Sequence, residues 1–175
     1  MMGSMSQHSG ASPSATGNYG LRPLLSTDHP QVVAVYRDAV TSQAAGLYSG
    51  EQVKAWSAHA LDNPAFQDTL RRGHGLVSCA LADPTTVEAF AVLDPLDRLA
   101  LLYCRGRSAR QGRATALLLA LQEHARARGI ARLRTEASQL SRPLLERHGW
   151  GVEAEETALY AGVAFQRWRM IKDLR

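Results

Sequence analysis

The stretch RLALLYCRGRSARQGRATALLLALQEHARARGIARLRTEA, Arg98–Ala137, decides the fold. It opens with an apolar strand-length run, Arg98–Cys104, and passes through an arginine-rich loop into the longest helical signal of the chain, about Gln111 to Arg128. Ala114, Leu117, Leu118, Leu121 and Ala125 recur at helical spacing on one face, and Gly129 stands where helices commonly end in a left-handed residue. Ala131–Ala137 then reads as a second strand. A right-handed strand–helix–strand crossover lays it parallel to Arg98–Cys104.

The loop between strand and helix carries the chemistry. From Arg98 through Gln122 there are five arginines and no acid. A helix start already exposes unpaired N–H groups and the positive end of the helix dipole, so it ordinarily attracts Asp or Glu. Added positive charge there is unfavourable until an anion arrives. Gly112, Ala114 and Ala116 have minimal side chains, which lets a ligand approach the backbone. Small residues, open amides and arginines in one turn are what a phosphate site requires. The bland alternative is a solvated arginine-rich surface loop. No Lys-Ser/Thr follows the glycine and no GxGxxG is present, which disfavours those two phosphate-binding patterns.

Working outward, Gly75–Leu81, Thr86–Leu93 and Arg98–Cys104 are three strand-length apolar runs parted by Asp83-Pro84 and Asp94-Pro95, an antiparallel meander. Before them come a strand at Leu21–Leu25 and three helices. The first is announced by a capping box of Asp28 with Gln31 and by Pro30, the second by Ser49 with Gln52, and the third by Asn63-Pro64 with a stop at Gly73. After Ala137 follow a short helix, Arg142–His148, and a closing hairpin of Val152–Leu159 and Phe165–Ile171. Residues 1–19 are rich in Ser, Gly, Ala and Pro and read as a disordered tail or tag remnant, leaving 20–175 as one domain.

Bulk properties narrow the classes. With 175 residues, 45% of them apolar, the chain can bury one proper core. The net charge of +4 is mild. Two cysteines, Cys79 and Cys104, make no disulfide framework and have no CxxC spacing, which favours a reducing compartment. No apolar run approaches the roughly 18 residues of a membrane span, and no secretory leader is visible, so a cytoplasmic protein without membrane contact is expected. The six histidines show no metal-ligand spacing, so no metal is expected. The arginines sit in one tight connection without interleaved aromatics, which argues against a nucleic-acid binder.

At Gln111-Gly112-Arg113-Ala114-Thr115-Ala116 the chain resembles the Q/R-x-x-G/A-x-G/A signature of the GNAT acyltransferase superfamily. The resemblance extends from about Leu21 to Lys172. Thr135-Glu136-Ala137-Ser138, the run Arg142–Trp150 and the run Leu47–Trp56 are similar to a bacterial, YafP-like subgroup. It implies an α/β fold of GNAT type: a mixed, mostly antiparallel central sheet of six to seven strands flanked by helices. It also implies an N-acetyltransferase that moves an acyl group from acetyl-CoA directly to an amine acceptor in a ternary complex. The acceptor would be a small molecule or a peptide, and the chain a monomer or homodimer.

By the same resemblance, the backbone of Leu102, Tyr103 and Cys104 would hold the pantetheine arm. The amides of Gln111, Gly112, Arg113, Ala114, Thr115 and Ala116 would hold the pyrophosphate, with the side chains of Arg110 and Arg113 reaching the phosphates. The tyrosine that many relatives use as proton donor is replaced by Leu145, and the acid often found early in the fourth strand by Ala100. Glu136, as base, and Ser138, as relay or donor, remain the catalytic candidates. The structural alternatives are a salt bridge of Glu136 with Arg134 or Arg132 and a turn or cap role for Ser138. Cys104 reads as core rather than as a nucleophile served by His124 or His148. Tyr36, Tyr48 and Trp56 read equally as core or as walls of an acceptor pocket. The missing Tyr and acid keep a second function in view, an acyl-CoA-binding sensor or scaffold with little turnover.

Overall fold

The computed structural model describes residues 18–175, and most of the expected tail, residues 1–17, lies outside them. Tyr19, assigned to the tail by composition, instead begins the first strand and is buried. The elements run β1 (Tyr19–Pro23), α1 (His29–Gln43), α2 (Gly50–Asp62), α3 (Pro64–Arg72), β2 (His74–Ala80), β3 (Asp83–Leu93) and β4 (Leu99–Cys104). They continue with α4 (Arg113–Ala127), β5 (Arg132–Ala137), α5 (Arg142–Arg147), β6 (Gly151–Tyr160) and β7 (Val163–Asp173). This is the expected order, in a mixed α/β fold of seven strands. None of the described helices is long and apolar enough to cross a membrane.

The strands form two sheets, β1-β2-β3-β4 and β5-β7-β6, each antiparallel throughout. One core gathers α1, α2 and α3 on the first sheet around Val32, Tyr36, Trp56, Phe66, Phe90 and Val92. The other packs α4 and α5 across both sheets through Leu117, Leu118, Leu121, Leu133, Leu145 and Met170. The helical face read from the sequence is the buried one: Leu117, Leu118, Leu121 and Ala125 are at most 1% exposed.

Bulges in β3 and β4 shape the end of the sheet that meets α4. In β3 the register steps from Ala89 opposite Ser78 to Val87 opposite Cys79, so Glu88 is an extra residue. In β4 it steps from Leu101 opposite Val92 to Leu99 opposite Leu93, so Ala100 is extra. A bulge kinks its strand and re-aims side chains. The one in β3 turns the Glu88 carboxylate toward the loop before α4, where Arg107 and Ser108 meet it.

The caps fall out unevenly. Ser49 and Gln52 exchange the two hydrogen bonds of a capping box, and Asn63 caps α3 by accepting from the Ala65 amide. The box expected at Asp28 with Gln31 does not form. The Asp28 carboxylate accepts instead from Arg22 and the Leu25 amide, and Gln31 reaches across to Thr85 and Val87. A full guanidinium charge is a stronger partner for a carboxylate than helix-end amides.

His74 at the start of β2 stacks on His124 of α4, ring centroids 3.3 Å apart and nearly parallel. Arg128 points a donor at His124 Nδ1 3.0 Å away, so that nitrogen must be unprotonated. Burial holds both histidines below the ordinary value, helped by the Arg128 charge and, for His124, by His74. The folded state thus prefers them neutral, whereas an unfolded chain protonates them near pH 6.5. Their contribution is complete above that pH and is lost as the pH falls through and below it. Thermal midpoints should therefore drop on acidification from about pH 7 to 5, and His124→Gln should flatten that drop. An unchanged slope in the variant would remove this pair as the cause.

Candidate active-site cleft

β4 and β5 lie side by side and parallel, as a strand–helix–strand crossover makes them, but they are joined only at their beginnings. A single bridge pairs Arg98 with Arg134. The Arg134 amide donates to Asp97 O (2.9 Å), and Thr135 Oγ1 donates to Leu99 O (2.7 Å). Beyond Leu99 and Thr135 the strands part into separate sheets. A strand paired on one side only leaves alternate N–H and C=O groups facing outward. The outward edge of β4 therefore faces a cleft of about 940 Å³, with Leu101–Cys104 on one wall and Glu136 and Ser138 on the other. At one end the cleft meets the start of α4; elsewhere its lining includes Leu47, Tyr48, Trp56, Tyr160 and Phe165.

Four arginines belong to the loop, and the structure gives them different fates. Arg107 ion-pairs with the buried Glu88, whose carboxylate also accepts from Ser108 Oγ at 2.6 Å. Burial alone would raise Glu88, but Arg107 and Ser108 hold it below the usual carboxylate range. Arg105 donates to Val87 O, and the Gly106 amide donates to Asp38 of α1 at 2.8 Å. The acid-free run is thus countered in space by acids from two other elements.

Arg113 departs from its expected role. Its side chain is turned inward and only 6% of the residue is exposed, with Nη1 donating to Ser78 Oγ at 2.9 Å and the guanidinium 4.6 Å over the Tyr19 ring. Packing of β1 against the loop takes that arginine away from the surface. Arg110 is exposed and, among the described residues, makes no hydrogen bond or ion pair.

The helix start is open. Gly112 is the N-cap residue, with φ +83°, and has no side chain to cap the helix; the first turn holds no acid. A Cβ there would sit 3.1 Å from the Tyr19 hydroxyl, so both conformation and space call for glycine. The Ala116 amide already donates to Gly112 O. The open amides therefore narrow from the expected Gln111–Ala116 to those preceding Ala116. Arg110 and Gly112 through Thr115 line the cleft, whereas Gln111 and Ala116 do not.

Glu136 lines the cleft and is partly exposed. Its partner is Arg98, Nε to Oε2 at 3.0 Å, rather than Arg134 or Arg132, which pair with Asp97 and Asp173. Arg98 is brought to Glu136 by the bridge between the two strands and not by spacing along one of them. Ser138 and Ser141 bond reciprocally, each hydroxyl accepting from the other's amide at 3.0–3.1 Å, which places Ser138 in the turn just before α5, whose N-cap is Ser141. Leu145 is 1% exposed and wholly apolar. Burial pushes the Cys104 thiol up to about 11, which keeps it protonated at neutral pH. Tyr36 is core, its hydroxyl donating to Trp56 O, while Tyr48 and Trp56 line the cleft. The Tyr48 hydroxyl accepts from the Gln139 amide at 2.8 Å.

The family model described as acetyltransferase (GNAT) domain matches residues 44–172. The chain belongs to that family. No curated protein matches this GNAT domain, but solved structures do. It is similar to a GCN5-related N-acetyltransferase from Rhodopseudomonas palustris, with a TM-score of 0.84, 25% identity, and coverage of 91% of this chain and 98% of that one. PaiA N-acetyltransferase from Thermoplasma acidophilum, solved in complex with coenzyme A, is 19% identical at a TM-score of 0.69 over 89% and 98% of the two chains. A ribosomal-protein-alanine N-acetyltransferase from Brucella melitensis is 20% identical at 0.58 over 87% and 98%. Among the described residues of the GNAT domain, no group of His, Cys, Asp and Glu is arranged to hold a metal.

Proposed function

We propose that this GNAT domain is an acyl-CoA-dependent N-acyltransferase that uses acetyl-CoA and transfers the acyl group directly to an amine. The observation that carries the reading is one continuous cleft joining the unpaired edge of β4 to the open start of α4. The coenzyme A in the Thermoplasma relative supports it. The pyrophosphate lies on the amides of Arg113, Ala114 and Thr115 and on the Arg110 guanidinium, where helix dipole and charge act together. The pantetheine arm adds to the outward edge of β4 along Leu102, Tyr103 and Cys104, as an extra strand would. An amide near Tyr103 or Cys104 polarises the thioester carbonyl. Glu136 takes the acceptor's proton, directly or through water, with its Oε1 left over from the Arg98 contact. Leu47, Trp56 and Phe165 offer the acceptor an apolar wall. The acid-Ala-Ser run and Arg142–Trp150 favour the YafP-like subgroup.

Calorimetry with acetyl-CoA, followed by thiol release across an amine panel, tests this. Binding without release for any amine would favour the sensor reading, which the apolar Leu145 and Ala100 support. Arg110→Glu should weaken acetyl-CoA binding about 10- to 100-fold with unchanged stability, the worth of one charge-assisted phosphate contact. Unaltered affinity would move the phosphate site elsewhere.

A further inference from the structure

We propose that Tyr48, carried by the loop between α1 and α2, is the proton donor to the departing thiolate. The proposal rests on the acyltransferase reading above. It answers a chemical need: Leu145 puts no proton donor on α5, while a thiolate leaving from a buried thioester must be protonated. Three of the described tyrosines line the cleft: Tyr48, Tyr103 and Tyr160. Tyr103 is packed between Tyr36 and Phe90, with its phenol raised far above the usual range by burial. Tyr160 ends β6 and packs at a tilt on His59 and edge-on to Phe165.

Tyr48 is placed differently. Its hydroxyl sits 2.8 Å from the amide of Gln139, just past the end of β5, and the residue lines the same cleft as Leu101–Cys104 of β4. Because Gln139 is the donor, the phenol gives up a lone pair and keeps its proton for another partner. The loop is held firmly: the Tyr48 amide donates to Ala44 O at 3.0 Å, the ring stands edge-on to Trp56, and the Ser49–Gln52 box follows at once. Burial raises the phenol above its ordinary value, partly offset by Gln139 and by the Ser138 hydroxyl. It therefore stays protonated at neutral pH. The other titratable or charged groups lining this cleft include Tyr103 and Cys104 of β4, Glu136 of β5, Arg147 of α5, Tyr160 of β6 and Arg167 of β7, and Tyr103 is close enough to Tyr48 to feel its charge.

The step balances. The amine nitrogen bonds to the acyl carbon, the C–S bond breaks, and its electron pair goes to sulfur. Sulfur takes the Tyr48 proton to give the free thiol. The phenolate, held by the Gln139 N–H, regains a proton from solvent, while the proton shed by the amine passes to Glu136 and on to water.

Full-length wild type and Tyr48→Phe are compared by thiol release from acetyl-CoA over a range of pH, together with thermal midpoints and acetyl-CoA calorimetry. Phe keeps the ring packing and removes only the hydroxyl. The expected result is a kcat roughly 100-fold lower, with acetyl-CoA affinity within about threefold and the basic limb of the wild-type pH profile gone. Fluorotyrosine at position 48, which folds as Tyr does, should shift that limb to lower pH. A kcat within about threefold of wild type, or a loss that comes with weakened acetyl-CoA binding and an unchanged basic limb, overturns the proposal in favour of a purely structural Tyr48. Wild type that binds acetyl-CoA yet releases no thiol with any amine overturns the acyltransferase reading and this role with it. Active wild type with an unaffected variant overturns Tyr48 alone.

Discussion

Arg113→Glu is expected to lower folding stability by about 3–5 kcal/mol, the scale for leaving a buried charge without its partner. The guanidinium fills a site bounded by Ser78 of β2 and Tyr19 of β1, and almost none of the residue reaches water. A carboxylate there would lose the cation–π contact with Tyr19 and sit desolvated, or take up a proton to stay neutral. Either route destabilises the fold. Urea titration would register the loss as a lower midpoint at similar slope. Arg113→Met, which fills the space without charge, should cost less. A midpoint for Arg113→Glu equal to wild type would mean that the side chain is not held inside. Set beside Arg110→Glu, which should spare stability and weaken binding, the pair separates two arginines of one loop into one that serves the fold and one that serves the ligand.

The second large effect concerns chemistry. Glu136→Gln should reduce kcat by about 100-fold, within the range for a positioned general base, and leave acetyl-CoA affinity nearly unchanged. Gln keeps the size and can still accept from Arg98 Nε, so the tie between β4 and β5 survives. What disappears is the ability to take a proton from the amine. Steady-state rates with saturating acetyl-CoA would measure it. Equal rates for both chains would return Glu136 to a purely structural salt bridge.

Local signals are legible in the sequence wherever local physics decides. The 3.6-residue stripe of α4 is its buried face, Gly129 (φ +79°) is a left-handed residue just past the helix end, and the box at Ser49 forms as written. The same reasoning fails at Asp28, where Arg22 outcompetes the helix end for the carboxylate. It also fails at Asp83-Pro84, read as a break but lying at the start of β3. Glu136 is recognisable as a candidate carboxylate, but Arg98 as its partner is not, because strand pairing joins residues 38 positions apart.

The order of elements, the family resemblance and the open, small-residue start of α4 are all written in the linear chain. They depend on neighbours a few residues apart, whose spacing can be read directly. Which arginines are available to a ligand is settled only when the chain is folded. Glu88 and Asp38 come from other elements, and they and Ser78 are aimed at the loop by a bulge, a helix and a sheet strand. An arginine run looks uniform in sequence because charge is additive there. In three dimensions each guanidinium goes to whichever partner its position allows, and of the loop's four only Arg110 remains exposed without one among the described residues.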